Sequence, residues 1–110
     1  MRVSMLAAVF TIVATAASAA TPATIKAAKP GGHVYVWITG KADEANTMID
    51  QGVGRTHPEL IFELIACVVD DGTKIIVTDL GFFTSTIMVT DGPAAGCRGD
   101  VYSDQFHPGN

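Results

Sequence analysis

The run Ile75-Ile76-Val77-Thr78-Asp79 returns twelve residues later as Ile87-Met88-Val89-Thr90-Asp91. Twelve residues accommodate one strand and its turn, so the echo predicts consecutive strands of an antiparallel meander. Leu80-Gly81 and a further strand-like stretch, residues 82–86, stand between the two copies. Residues 33–39 (HVYVWIT) follow Gly31-Gly32 and are equally dense in β-branched and aromatic side chains. Strand periodicity places Val34, Val36 and Ile38 on one face of that run and His33, Tyr35, Trp37 and Thr39 on the other. A last short strand is expected at residues 100–103.

The apolar run at residues 60–69 (LIFELIACVV) can be read in two ways. Thr56 and Glu59 have capping-box spacing and Pro58 suits a first helical turn, which favours a helix. The density of Ile, Val and Phe, followed by Asp70-Asp71-Gly72 and a second β-branched run, favours a hairpin of two strands. The hairpin is the preferred reading. In residues 41–51 (KADEANTMIDQ), Ala42, Ala45, Met48 and Ile49 share a helical stripe, and Gly52 is a suitable stop, so a short helix is expected. A strand over residues 47–51 is its rival.

The fold expected is mainly β: a small antiparallel sandwich or partly closed barrel of five or six strands, with at most one short helix and one disulfide. Val36, Ile38, Phe62, Leu64, Ile76, Val89 and one or both of Phe82 and Phe83 are the expected core. Residues 20–30 (ATPATIKAAKP) contain two prolines and one large apolar side chain, Ile25, and read as a flexible lead. Residues 31–106 form the domain, and residues 107–110 read as a frayed tail.

The first nineteen residues are set apart from this plan. Arg2 precedes an apolar stretch at residues 5–14, and Ala17-Ser18-Ala19 supplies small residues at the −3 and −1 positions, the pattern of a secretory signal peptide. A membrane anchor is the competing reading, but a spanning helix needs about 20 strongly apolar residues and this run is diluted after Val13. The expected product is secreted and extracellular, with no membrane association after cleavage. Export places Cys67 and Cys97, the two cysteines of the chain, in an oxidising compartment where they should pair. The bridge would enclose the 29 residues between them, a loop worth about 3 to 4 kcal/mol in the chain-entropy description. Seven Lys and Arg, Arg2 among them, stand against eleven acidic residues and are scattered singly, which argues against nucleic acid as a partner.

Candidate chemistry is sparse. Glu59 and Glu63 are four apart and would face the same way on a helix or a strand, as paired carboxylates or as a solvated stripe. His57 lies between Arg55 and Glu59, a grouping that a minimal hydrolase or nuclease site could use together with His33; a polar surface turn is the plainer reading. No nucleophile-elbow, zincin or phosphate-loop pattern occurs, and no cofactor or metal is expected. Arg98-Gly99-Asp100 is an adhesion-like tripeptide next to a cysteine, or simply local structure. Tyr35 and Trp37 stand equally as core or as contact surface. Glu63, which interrupts an apolar run, and Arg98, beside the expected bridge, complete the candidate binding residues Tyr35, Trp37, Glu63 and Arg98.

A signal peptide ending Ala17-Ser18-Ala19, a mature chain with few cysteines, and short strands such as HVYVWITG, LIFELIACVVDDGTKIIVTD and STIMVTDG together resemble the small secreted effectors of plant-pathogenic fungi, in particular the ToxB-like (MAX) β-sandwich effectors. The likeness is one of plan, and it differs in the bridge: the family typically ties its first strand to a later one, whereas the run HVYVWIT holds no cysteine. The resemblance implies a non-enzymatic virulence effector that binds a host protein through strand edges or surface side chains, and a monomer is expected. Two other functions fit the residues: a secreted inhibitor of a protease or other hydrolase, using residues 93–99 (PAAGCRG) as a disulfide-held loop, and a minimal hydrolase or nuclease using His57 and Glu59.

Overall fold

The computed structural model describes residues 20–109, so the expected signal peptide at residues 1–19 lies outside the described residues. In chain order the elements are β1 (Thr21–Ile25), β2 (His33–Trp37), α1 (Ala42–Asp50), α2 (Val53–Thr56), α3 (Pro58–Phe62), β3 (Ile65–Asp70), β4 (Lys74–Asp79), β5 (Thr84–Val89), β6 (Arg98–Tyr102), a 3-10 turn at Ser103–Gln105, and β7 (Phe106–Pro108). The seven strands form one open sheet in the order β3-β2-β6-β5-β4-β1-β7. Every neighbouring pair is antiparallel. The mainly β class, the antiparallel pairing and the single disulfide hold, but strand and helix counts both exceed expectation, and of the two architectures expected, sandwich or partly closed barrel, the packed sandwich gives way to one open sheet.

The repeated run becomes the centre of that sheet. Ile75 pairs with Val89, Ile76 with Met88 and Val77 with Ile87, so the echoed segments lie side by side as the β4–β5 hairpin. β6 continues the meander, with Ser85 opposite Val101 and Ile87 opposite Gly99. Alternation then selects one face: Ile75, Val77, Ile87, Val89 and Val101 join Ala23, Ile25, Val34, Val36 and Val69 in one buried cluster. Ile76, expected in the core, falls on the opposite face and is only half-buried. A run of three consecutive apolar residues does not reveal which of its two faces is inner.

β3 and β4 are consecutive in the chain yet stand four places apart in the sheet. On a flat sheet they would be about 19 Å apart at about 4.8 Å per strand, whereas the short connection from Asp70 to Lys74 reaches about 14 Å. The sheet therefore curls around its inner cluster. The turn amides of this connection tie it to the segment before β2 and to the end of β1, Asp71 N–H donating to Gly32 O and Gly72 N–H to Ile25 O, each at 2.9 Å. Asp71 also accepts from Ala27 N at 2.8 Å. The expected hairpin between residues 60–69 and 74–78 is thus replaced by a corner. Pro58 and Glu59 begin a helix, β3 starts at Ile65, and its partner is β2, with Val34 opposite Val69 and Val36 opposite Cys67.

The lead and tail are also corrected. Residues 21–25 form β1, held between β4 and β7, with Ala23, Thr24 and Ile25 buried. Small side chains hid this strand, because Ala23 and Ile25 give only two inward apolar positions. Residues 106–108, overlapping the expected frayed tail, form β7, and Phe106 packs against the inner cluster.

The helices lie between β2 and β3 and build a second, smaller core. Ala42 and Ala45 of α1, Ile61 of α3 and Leu64 bury around Trp37, with Met48, Val53, Ile65 and Tyr102 at the margin. The helical reading of residues 41–51 is the correct one: acids Asp43 and Glu44 occupy the first turn, where the helix dipole favours them, and Gly52 follows the helix in the left-handed region with φ 82°. Ile38 and Phe62, both expected inside, are exposed: Ile38 follows Trp37 out of the helical core, and Phe62 points away from the side of α3 on which Ile61 and, past its end, Leu64 are buried. The bridge Cys67–Cys97 forms as expected, with Cα atoms 6.6 Å apart, and ties β3 to the start of β6.

Candidate binding surface

The four residues singled out by sequence do not assemble into one site. Tyr35 is 48% exposed on β2, opposite the exposed Val68, and its ring meets Trp37 edge-on at 5.7 Å. Trp37 itself is only 4% exposed and belongs to the helical core. Glu63 is exposed at the end of α3, and Arg98 is exposed at the first position of β6. Among the described residues no hydrogen bond, ion pair or ring contact joins Glu63 or Arg98 to the Tyr35–Trp37 pair.

The adhesion-like tripeptide is internal structure. Gly99 sits where β6 passes β2, and a Cβ there would collide with the Trp37 carbonyl oxygen and with Val36 Cγ1. Asp100 is only 8% exposed. Its carboxylate accepts from Thr86 Oγ1 at 2.8 Å and from Gly40 N at 2.9 Å, tying β5 and the turn after β2 to β6. An adhesion ligand presents its carboxylate to a receptor; this one is occupied within the fold. The neighbouring residues 92–97 form a compact turn closed by Ala95 N–H to Gly92 O, Gly96 N–H to Val89 O and Cys97 N–H to Ala94 O.

The histidines are also separated in their contacts. His33 Nδ1 lies 2.9 Å from Asp70 Oδ1 on the exposed rim of β2 and β3, while His57 joins α2 to α3 and is exposed, as is Glu59. Among the described residues, no group of three or more His, Cys, Asp and Glu side chains is placed to hold a metal ion, and no helix is long and apolar enough to cross a membrane.

The surface that does stand out carries Phe82 and Phe83, both candidates for the core by sequence and both exposed here. Between β4 and β5 the chain turns through Leu80-Gly81-Phe82-Phe83, and Phe82 and Phe83 are 88% and 75% exposed. Their rings meet edge-on with centroids 4.6 Å apart. The turn beneath them is fixed. Buried Ser85 receives the Gly81 N–H on Oγ at 3.1 Å and meets Ser103 Oγ at 2.8 Å. Ser103 in turn donates from Oγ to Gly81 O at 2.9 Å and from its amide to Phe83 O at 2.8 Å. A signal for this was available: the twelve-residue echo leaves residues 80–83 in the turn of a hairpin, where inward-facing positions have run out.

Beside the tip lies an open depression of about 580 Å³, lined by Asn46, Phe82, Phe83, Tyr102, Asp104 and Gln105. Tyr102 donates its hydroxyl to Ala42 O at 3.1 Å, which ties α1 to β6. Its pKa is raised above the ordinary 10.0, first by burial and then by the carboxylates of Asp43 and Asp50. Asp43, Asn46 and Asp50 are three and four apart along α1, so all three lie on the helix face that overlooks Tyr102. No family model matches the chain, and neither a curated protein nor a solved structure does.

Proposed function

We propose that this chain is a secreted, non-enzymatic binding protein, a virulence effector of the type its plan resembles, which acts as a monomer and engages a host protein through the aromatic tip of the β4–β5 hairpin. One observation carries this reading: two adjacent phenylalanines stand in solvent on a turn that is anchored from below. Exposed aromatic pairs on a fixed support are costly to keep in water and are the side chains that dominate protein interfaces. A rigid turn also loses little entropy on contact, which favours binding through it. The disulfide supports export, since it forms and persists in oxidising compartments.

The test is a comparison of immobilised wild-type protein with the Phe82→Ala/Phe83→Ala variant in capture from host extract, with folding checked by near-ultraviolet circular dichroism. The reading expects a saturable partner that is retained by the wild type and lost by the variant. Equal capture by both proteins would refute it.

A further inference from the structure

We infer that the depression beside the aromatic tip is a receptor for an arginine side chain carried on an extended segment of the partner protein. This inference rests on the binding reading above and adds the chemistry of the partner. The argument is one of complementarity. Phe82 and Phe83 offer aromatic surface at one wall, Tyr102 is half-buried at the depression, and Asp104 adds a carboxylate to the lining. Asn46 carries Asp43 and Asp50 with it on the same face of α1. None of the lining residues is cationic; Lys41, next to α1, is already within 3.4 Å of Glu44, and Lys26 lines the adjoining depression, on the far side of Asp104 and Gln105 from the aromatic pair. An uncharged apolar segment would satisfy the phenylalanines but leave the carboxylates facing a desolvated contact, which is unfavourable. A guanidinium satisfies both, since it stacks on aromatic faces and donates in a planar fork to carboxylates. The Tyr102 hydroxyl already donates to Ala42, so it is left to act toward a ligand as an acceptor, which again suits a donor-only group.

The experiment is an NMR titration of the oxidised protein with a short acetylated peptide of alternating glycine and arginine, against the same peptide with citrulline in place of arginine. Saturable shifts centred on Asn46, Phe82, Phe83, Tyr102 and Asp104 are expected for the arginine peptide. Binding should weaken about tenfold for the citrulline peptide and for Phe82→Ala/Phe83→Ala, and about three- to fivefold for Asp104→Asn, with Asp104→Glu restoring it. Added salt should weaken it further. Equal affinity for both peptides, shifts located elsewhere, or no binding of the arginine peptide would each overturn the arginine assignment while leaving the aromatic-tip reading standing. That reading fails separately, if the double phenylalanine variant keeps its partner in the capture assay.

Discussion

Replacing Asp100 by alanine should unfold this domain far more readily than its place in an adhesion-like tripeptide suggests. Its carboxylate is nearly buried and accepts two hydrogen bonds, one from Thr86 Oγ1 and one from the Gly40 amide. Hydrogen bonds to a charged group contribute about 1.5 to 3 kcal/mol each, discounted here because a sliver of the side chain reaches water. Alanine also strands the Gly40 N–H, so the expected loss is about 2 to 4 kcal/mol. For a domain of this size that corresponds to a fall in Tm of about 10 to 25 °C. Asparagine makes the test sharper. Its Oδ1 can still accept from Gly40 and its amide can donate to Thr86 Oγ1, so Asp100→Asn should cost only about 1 kcal/mol. Urea denaturation followed by the fluorescence of Trp37, the one tryptophan of the chain and a buried one, reports both variants. An Asp100→Ala protein within 0.5 kcal/mol of wild type, or an asparagine variant as damaged as the alanine one, would refute the reasoning.

Other outcomes follow from the same contacts. Gly99→Ala should cost about 3 kcal/mol in urea denaturation, because the new methyl meets the Trp37 backbone carbonyl and the buried Val36 side chain, neither of which is free to swing away. Cys67→Ser/Cys97→Ser should lower stability by about 3 to 4 kcal/mol, and dithiothreitol should reproduce that loss in the wild type. Phe82→Ala/Phe83→Ala should leave the unfolding free energy from urea denaturation within about 0.5 kcal/mol of wild type, since neither ring is buried. Tyr102 holds its proton more tightly when folded, so its contribution is complete below pH 10 and is lost as pH rises through its higher folded pKa. Alkaline denaturation above pH 10 should therefore be blunted in Tyr102→Phe, and the wild-type-minus-variant absorbance near 295 nm should titrate above that pH.

What the sequence disclosed was the part of the fold that local pattern governs. The echo of Ile75 to Asp79 in Ile87 to Asp91 gave the meander, the stripe of Ala42, Ala45 and Met48 gave α1, and the cysteine pair gave the bridge. What it withheld depends on distant partners. β1 offers little apolar surface of its own and is a strand because β4 and β7 accept its backbone on both sides. Asp70-Asp71-Gly72 has the composition of a hairpin turn, but Asp71 is engaged by Ala27, and the chain crosses the curled sheet instead of returning beside β3. The candidate surface was hidden for a related reason. Phe82 and Phe83 look like core by hydrophobicity; the twelve-residue echo places them near a hairpin turn, and the register of Asp79 opposite Thr86 leaves no inward position for them.

The most direct test of the account places p-benzoylphenylalanine at position 82 in one protein and at position 35 in another, and irradiates each in host extract. Both positions are exposed aromatic sites, so reactivity alone does not distinguish them. The account predicts one covalent adduct from position 82 that competes with unmodified protein, and none from position 35. An adduct formed from position 35 and absent at position 82, or none from either, would contradict it.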